Sequence, residues 1–314
     1  MEWKKIPGVW GSKVFVWTQK VLAYLPFWML YVIADVVFVL LYYVARYRRH
    51  VVADNISRSF PEKSEKERKE IVRQFYRNFA DSFAETIKLH HVSDEQIKRR
   101  MVYENTEIVD ELLNQGRSIV CYFAHCFNWE WAPSITLWAS HKPGGDTVYS
   151  QVYRPLNNKP VDALYLHLRS RFGSESFAKS HVLRDLIRVN RAGKMNVCGF
   201  MSDQKPSHGD PTHVMRFLNQ PTAMITGTET LARKLKMSAV YMDMYKLRRG
   251  HYKVRMRMVA EKPEDLEPME LTERYAALLE QTIRRNPAIW LWSHKRWKYP
   301  VALPDDYDLT HPKK

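Results

Sequence analysis

The sequence lacks the short motifs that identify several common enzyme classes. It contains no G-x-S-x-G elbow and no H-E-x-x-H pair, which argues against a serine hydrolase and a zinc hydrolase of those types. No internal repeat is present, and no small-x-small cleavage site follows its long apolar run, which argues against a cleaved signal peptide. Its three cysteines, Cys121, Cys126 and Cys198, form no C-x-x-C pair, as is typical of a reducing compartment. Cys126 beside His125 is interpreted as an apolar filler, with a nucleophilic thiol as the alternative.

Positive charge is what the sequence has in excess. It carries 49 lysines and arginines against 34 acidic residues, for a formal net charge of +15. A balance this basic indicates acidic partners: nucleic acid, an anionic membrane surface, or an acidic protein or phosphorylated substrate. The 314 residues suffice for one large α/β domain or two smaller ones.

One apolar run, at residues 27–45, stands out near the beginning of the chain. As a helix it would be about 28 Å long, close to the ~30 Å hydrocarbon core of a bilayer. Only Asp35 interrupts it, and the basic cluster that follows favours a cytoplasmic main domain. We predict a membrane anchor segment over residues 1–50. A transmembrane helix is favoured over a helix in the membrane interface or a buried core helix.

Helix and strand patterns alternate through the rest of the chain. An amphipathic helix over 64–89 begins with the capping-box pair Ser64 and Glu67, and a further helix is predicted over 222–236. Strands are predicted at 118–124, 146–153 and 195–201, with an antiparallel pair at 238–247 and 251–260. This alternation predicts an α/β fold with a mixed sheet covered by helices on both faces. His125, Arg154 and Asp203 each follow a predicted strand, so we expect them at the carboxyl edge of the sheet.

The spacing of His125 and Glu130 is a weak signal by itself. With 12 histidines and 34 acids in 314 residues, chance gives about 1.3 such pairs, and His90–Glu95 has the same spacing. His125, however, leaves a buried type of strand, and Asn128 can cap the helix that follows. From the first turn of that helix Glu130 could hold one imidazole nitrogen protonated and leave the other as a base. The alternative is a structural histidine at a strand end and an acid at a helix start.

Four ordered segments carry a more specific signal. The stretch "AHCFNWEW" (124–131) resembles the first signature block of the lysophospholipid acyltransferase superfamily, and most closely that of the late acyltransferases of lipid A biosynthesis. Three further segments resemble the second, third and fourth blocks: "VYRPLNN" (152–158), "SDQKPSHGDPTHVMRFLNQPT" (202–222) and "NPAIWLWSHKRWK" (286–298). Phe127 stands where the family often has glycine.

The resemblance implies a reaction and a set of site residues. An acyl chain would move from a thioester, usually on acyl carrier protein, to a hydroxyl of a lipid A precursor, without an acyl-enzyme, a metal or a cofactor. His125 would be the general base and Glu130 would orient it. His208, Asp210 and His213 are interpreted from the sequence alone as a polar loop, with a metal site as the alternative. The substrate-binding residues would be Asn128, Arg154, Asn157, Asp203 and Gln204.

The resemblance also implies partners and a location. Acyl carrier protein, a phosphorylated lipid acceptor and an anionic membrane would account for the basic charge, and no nucleic acid is expected. Residues 51–314 would form the catalytic domain, on the cytoplasmic side of the bacterial inner membrane. Two alternatives stay open: an acyltransferase of the same superfamily for a glycerophospholipid or aminolipid, and a non-catalytic, basic, membrane-tethered binding protein.

Overall fold

A computed structural model describes residues 9–305 and residue 307. Residues 1–8 of the expected anchor segment, and 306 and 308–314 of the expected catalytic domain, lie outside the described residues. The α-helices are α1 (Val9–Leu22), α2 (Phe27–Val39), α3 (Arg49–Ser59), α4 (Glu65–Lys88), α5 (Asp94–Arg100), α6 (Glu107–Asn114), α7 (Lys159–Ser170), α8 (Val182–Arg191), α9 (Gly227–Lys234) and α10 (Glu270–Arg285).

The strands form one large sheet and a separate hairpin. They are β1 (Met101–Glu104), β2 (Ile119–Phe123), β3 (Thr147–Tyr153), β4 (Glu175–Ala178), β5 (Met195–Met201), β6 (Thr212–Phe217), β7 (Gln220–Ile225), β8 (Ser238–Arg248) and β9 (His251–Ala260). The seven-stranded sheet has the order β1-β9-β8-β2-β5-β3-β4, and only β8 and β9 pair antiparallel within it. The predicted α/β fold with a mixed sheet is confirmed.

The central strand β2 shows why its sequence is apolar without alternation. All five of its residues are buried, as expected for a strand with helices on both faces. It pairs in parallel with β5 on one side and with β8 on the other. The carboxyl ends of β2 and β5 are therefore neighbours at one edge of the sheet.

Helix α4 begins as predicted and buries acidic side chains beside its apolar ones. The Ser64 hydroxyl accepts from the Glu67 amide, and the Glu67 side chain accepts from the Ser64 amide, so the capping box is confirmed. Phe75 is buried and Phe83 is 37% exposed, whereas the acids Asp81 and Glu85 are buried. The two acids have polar partners from neighbouring elements: Glu85 accepts from the Tyr31 hydroxyl of α2, which packs along α4, and Asp81 accepts from Arg249 in the turn between β8 and β9.

Two predicted helices differ from the structure. The predicted helix at 222–236 begins only at Gly227, because the residues before it form β7 and pair antiparallel with β6. The tight turn of that hairpin places Leu218 and Asn219 at positive φ, and neither residue is a glycine, the residue by which such a turn is usually recognised in a sequence. The helix after His125 is a 3₁₀ helix, Trp129–Leu137, with Pro133 inside it.

The apolar run forms α2 and then a π-helical turn, Leu40–Val44. Within the described residues, Phe27–Val44 is the segment long and apolar enough to cross a bilayer, with a mean hydropathy of 2.1 and 22% of it buried. Asp35 is paired: its carboxylate lies 2.8 Å from a guanidinium nitrogen of Arg249, in the turn between β8 and β9. Whether the segment spans a membrane or lies in its interface stays a prediction.

Candidate active site

The turn that follows β2 carries His125 and is held by backbone contacts. The Cys126 amide donates to the Ala124 carbonyl at 2.7 Å, and the Phe127 amide donates to the Ile289 carbonyl at 2.9 Å. Phe127 has a φ of +48°, in the left-handed region that favours glycine. This conformation explains why glycine suits the position in the family that the sequence resembles.

Asp203, which follows β5, is the carboxylate that contacts His125. Its Oδ1 lies 2.8 Å from His125 Nδ1, and its Oδ2 accepts from the His125 amide at 3.0 Å. The indole of Trp290 donates to the same Oδ2 at 2.8 Å. Since an ionised carboxylate can only accept, it fixes the imidazole proton on Nδ1 and leaves Nε2 as the acceptor.

The same contacts keep the carboxyl of Asp203 ionised. Burial alone would raise its pKa, because the side chain is completely inaccessible to solvent. The charge of His125 and the three hydrogen bonds outweigh burial and lower the pKa of Asp203 to about 2. The carboxylate is therefore ionised at neutral pH beside the imidazole, whose side chain is 16% exposed.

Glu130, predicted to orient His125, makes a different pair, and this part of the prediction is wrong. Its two carboxylate oxygens accept from the guanidinium of Arg169 in α7, at 2.7 and 2.8 Å. The indole of Trp129 also donates to Glu130, at 3.2 Å. The tighter 3₁₀ turn directs the Glu130 side chain towards α7, and Asp203 takes the orienting position instead.

Asn128, predicted both to cap the next helix and to bind substrate, points into the protein. It makes no side-chain cap to the 3₁₀ helix and is 2% exposed. Its Nδ2 donates to Glu85 at 3.1 Å, and its Oδ1 accepts from the Thr86 hydroxyl at 3.4 Å. The predicted cap is wrong, because the nitrogen and the oxygen of the side-chain amide are both hydrogen-bonded to residues of α4.

An apolar cavity lies between the sheet and the 3₁₀ helix. Its empty volume is about 560 Å³, which includes the solvent space at its open mouth. Gly199 leaves room within it, since a Cβ there would lie 2.9 Å from Phe123. Trp129 lines this cavity and also a smaller one of about 220 Å³, whose wall includes His125. The indole thus stands between the imidazole and the apolar space, and the Glu130–Arg169 pair lies on the wall of that space.

The remaining predicted substrate-binding residues lie on the loops at the same edge of the sheet. Arg154 and Asn157 follow β3 and are exposed, and Gln204 follows Asp203 and is half-buried. Arg154 lies close enough to Asp210 to lower the pKa of that carboxyl, a smaller contribution than those of Lys179 and the Ser207 amide. Exposed polar side chains here are free to meet a solute, but the substrate contacts themselves stay predictions.

The other candidate groups have structural partners. Burial, followed by the charges of Asp203 and Asp243, raises the pKa of the Cys126 thiol, which agrees with the filler interpretation and opposes a thiolate. In the loop considered for a metal, Asp210 pairs with Lys179 at 2.6 Å and His213 lies 2.9 Å from Glu273.

Sequence reasoning missed three residues of this site. Trp290 lay within the fourth resembling segment, so its block was a usable signal. Glu85 was detectable as an acid near the apolar face of an amphipathic helix. Arg169 had no signal, since it lies 39 residues from Glu130 on an otherwise ordinary helix.

A histidine held by a buried aspartate, at the carboxyl edge of a mixed α/β sheet and near an apolar cavity, is an arrangement suited to proton abstraction next to a long apolar group. Residues 4–299 match the family described as bacterial lipid A biosynthesis acyltransferase. The chain therefore belongs to that family and is an acyltransferase, and the family implies a lipid acceptor.

Curated relatives agree with this assignment. The chain is 26% identical to the lipid A biosynthesis lauroyltransferase of Escherichia coli over 265 residues, which cover 83% of this chain and 82% of the relative. It is 19% identical to a lipid A biosynthesis acyltransferase of Haemophilus influenzae, with 91% and 87% covered. It is 24% identical to the lipid A biosynthesis myristoyltransferase of Escherichia coli, with 50% and 46% covered.

Proposed function

We propose that the protein transfers a fatty acyl chain from the thioester of acyl carrier protein to a hydroxyl of a phosphorylated lipid A precursor. The observation that carries the proposal is the Asp203–His125 pair with its 2.8 Å contact, set beside the apolar cavity. The family, the relatives and the basic charge of the chain support the choice of substrates.

The proposed step is direct transfer. His125 Nε2 removes the proton of the acceptor hydroxyl as its oxygen attacks the thioester carbonyl. Asp203 stabilises the imidazolium that forms. When the tetrahedral intermediate collapses, the C–S bond breaks and the leaving thiolate takes the proton from His125. Atoms and charge balance without a metal or a covalent enzyme intermediate.

The cavity wall gives Glu130 and Arg169 a proposed role. The acyl chain of the donor occupies the apolar space, and this ion pair fixes the wall next to Trp129. Arg154 and Asn157, exposed at the same edge, bind phosphate groups of the acceptor, and Gln204 contributes a polar contact beside them. Asn128 acts from behind the turn rather than on substrate.

The location is proposed to be the cytoplasmic face of the bacterial inner membrane. Apolar side chains on α1, on α2 and on the residues that follow each helix point away from the rest of the protein, and several are the aromatic types that favour a lipid interface. They are Val14, Trp17, Val21, Tyr24, Trp28, Val32, Val36, Val39, Leu40, Tyr43 and Val44. Exposure of this extent on adjacent elements is typical of a membrane-binding surface.

The test uses the full-length protein in phospholipid vesicles with an acyl carrier protein thioester and a panel of lipid A precursor, glycerophospholipid and aminolipid acceptors. We expect His125→Ala to lower kcat by about 100-fold or more, since it removes the general base. The control is His141→Ala. His141 precedes β3 at the opposite edge of the sheet, and its Nδ1 lies 3.6 Å from Asp146 Oδ1. The activity of this variant should be unchanged. Normal turnover by His125→Ala would discard the mechanism, and preference for another acceptor would discard the substrate.

A further inference from the structure

Glu85 is a completely buried carboxylate in the last turn of α4. Its Oε2 accepts from the Tyr252 hydroxyl at 2.7 Å and from Asn128 Nδ2 at 3.1 Å, and its Oε1 accepts from the Tyr31 hydroxyl at 3.1 Å. These three neutral donors satisfy the carboxylate directly. Burying an acid in this way costs free energy that an apolar residue would avoid, so fold stability alone does not explain it.

The three donors come from three separate parts of the chain. Asn128 belongs to the turn that begins at His125, Tyr252 belongs to β9, and Tyr31 belongs to the apolar helix α2. One turn earlier on α4, Asp81 accepts from Arg249 at 2.6 Å, and Arg249 also donates to the Tyr31 carbonyl at 3.1 Å. Helix α2 is therefore fixed to α4 beside the same carboxylate that holds the turn.

The turn needs such a support. Phe127 is held at positive φ, a conformation that is unfavourable for a residue with a side chain. Asn128 comes directly after it, and Trp129 then packs edge-on against the His125 ring, with 5.1 Å between the ring centroids. Releasing the Asn128 amide would free the turn at the point between these two contacts.

We propose that Glu85 is a positioning residue of the acyl-transfer site: it holds Asn128, and with it the turn that carries His125, and it links this position to the docking of α2 through Tyr31. The inference rests on the proposed function. Glu85 touches no reacting atom, so its effect is exerted on the geometry of the imidazole. A misplacement of about 1 Å at a reacting group lowers the rate by as much as 100-fold.

The test compares Glu85→Gln with a matched control in the full-length protein in vesicles. The control is Glu229→Gln, a buried carboxylate that accepts from the Met269 amide and from the Thr272 amide and hydroxyl, between α9 and α10. We expect Glu85→Gln to lower kcat by about 10-fold or more, with the KM for the acyl donor nearly unchanged. Glu229→Gln should lower the Tm and leave kcat unchanged.

A double-mutant cycle separates positioning from a general loss of stability. If Glu85 acts through Asn128, the kcat of Glu85→Gln combined with Asn128→Ala should equal that of Asn128→Ala alone. If the fold-losses of kcat in the two single variants multiply in the double variant, the two residues act independently and the proposal is overturned. If Glu85→Gln does not fold, the test uses Tyr31→Phe and Tyr252→Phe, since each variant lacks one of the hydroxyls that donate to the Glu85 carboxylate. An unchanged kcat in both variants would also overturn the proposal.

The outcomes distinguish this inference from the proposed function. An active His125→Ala variant would refute the proposed function and the positioning role together. An inactive His125→Ala variant, together with a Glu85→Gln variant whose kcat matches the Glu229→Gln control, would refute the positioning role alone.

Discussion

Phe127 offers a direct test of how the turn is built, because two opposing effects meet at one residue. Only 3% of Phe127 is exposed. The centroid of its ring lies 5.6 Å from that of the Tyr252 ring and 5.4 Å from Lys246 Nζ. Its backbone, at a φ of +48°, favours glycine. The perturbation is a pair of substitutions, Phe127→Gly and Phe127→Ala.

The magnitudes decide which effect dominates. Deleting a buried phenylalanine ring costs about 3–5 kcal/mol of unfolding free energy. Glycine recovers about 1–2 kcal/mol of left-handed strain and loses about 0.5–1 kcal/mol to the greater freedom of the unfolded chain. Both variants should therefore be less stable than the parent. Phe127→Gly should be the more stable of the two by roughly 1 kcal/mol, the reverse of the usual order in helices and strands.

The assay is denaturant unfolding of the full-length protein in detergent, followed by tryptophan fluorescence, with the same denaturant dependence required of both variants. The matched control is the same pair of substitutions at Phe177, a buried phenylalanine of β4 with no positive φ. There alanine should be the more stable variant. If alanine also exceeds glycine at position 127, the strained conformation and the account of the family's glycine are both refuted.

Two further predictions concern the site and the membrane surface. Asp203→Asn should lower kcat by about 100-fold, because it loses the charge that fixes the imidazole. Glu130→Gln should mainly lower the unfolding free energy, by about 2 kcal/mol, a value reduced for the 20% exposure of the Arg169 side chain. An active Asp203→Asn variant together with a stable but inactive Glu130→Gln variant would restore the predicted pairing of His125 with Glu130. Replacing Trp17 and Trp28 by serine should move the protein from the pellet to the supernatant in vesicle sedimentation, since both indoles are about two-thirds exposed; unchanged binding would exclude this surface as the anchor.

The centre of the sheet was predictable because its signals are local. Strand β2 is a continuous run of apolar residues, β3 and β5 are rich in apolar and β-branched residues, and the pair β8–β9 is joined at Arg248–Gly250, so each was evident within about ten residues. The edge strands β1 and β4, of four residues each, were not predicted. The edge rule for parallel strands then brought His125 and Asp203 to one side of the sheet without any knowledge of their contact.

The partners within the site were not predictable from local spacing. The five-residue interval suggested Glu130 for His125, but the side chain that reaches the imidazole lies 78 residues further along the chain. The hairpin β6–β7 was missed because its turn residues, Leu218 and Asn219, are not the glycine-rich pair that predicts such a turn. Packing between residues far apart in the chain determines the partner of His125 and the β6–β7 hairpin. Such contacts leave no periodic pattern in a single sequence.

The hydrogen bond from Trp290 to Asp203 also bears on when the protein becomes active during its synthesis. The indole arrives 87 residues after the carboxylate that it contacts, and the strand pairing of Cys126 with Trp290 waits for the same segment. A chain that is still being synthesised therefore lacks both contacts until residue 290 has been made. Under the proposed function, acyl transfer would begin only once Trp290 is in place to hold Asp203.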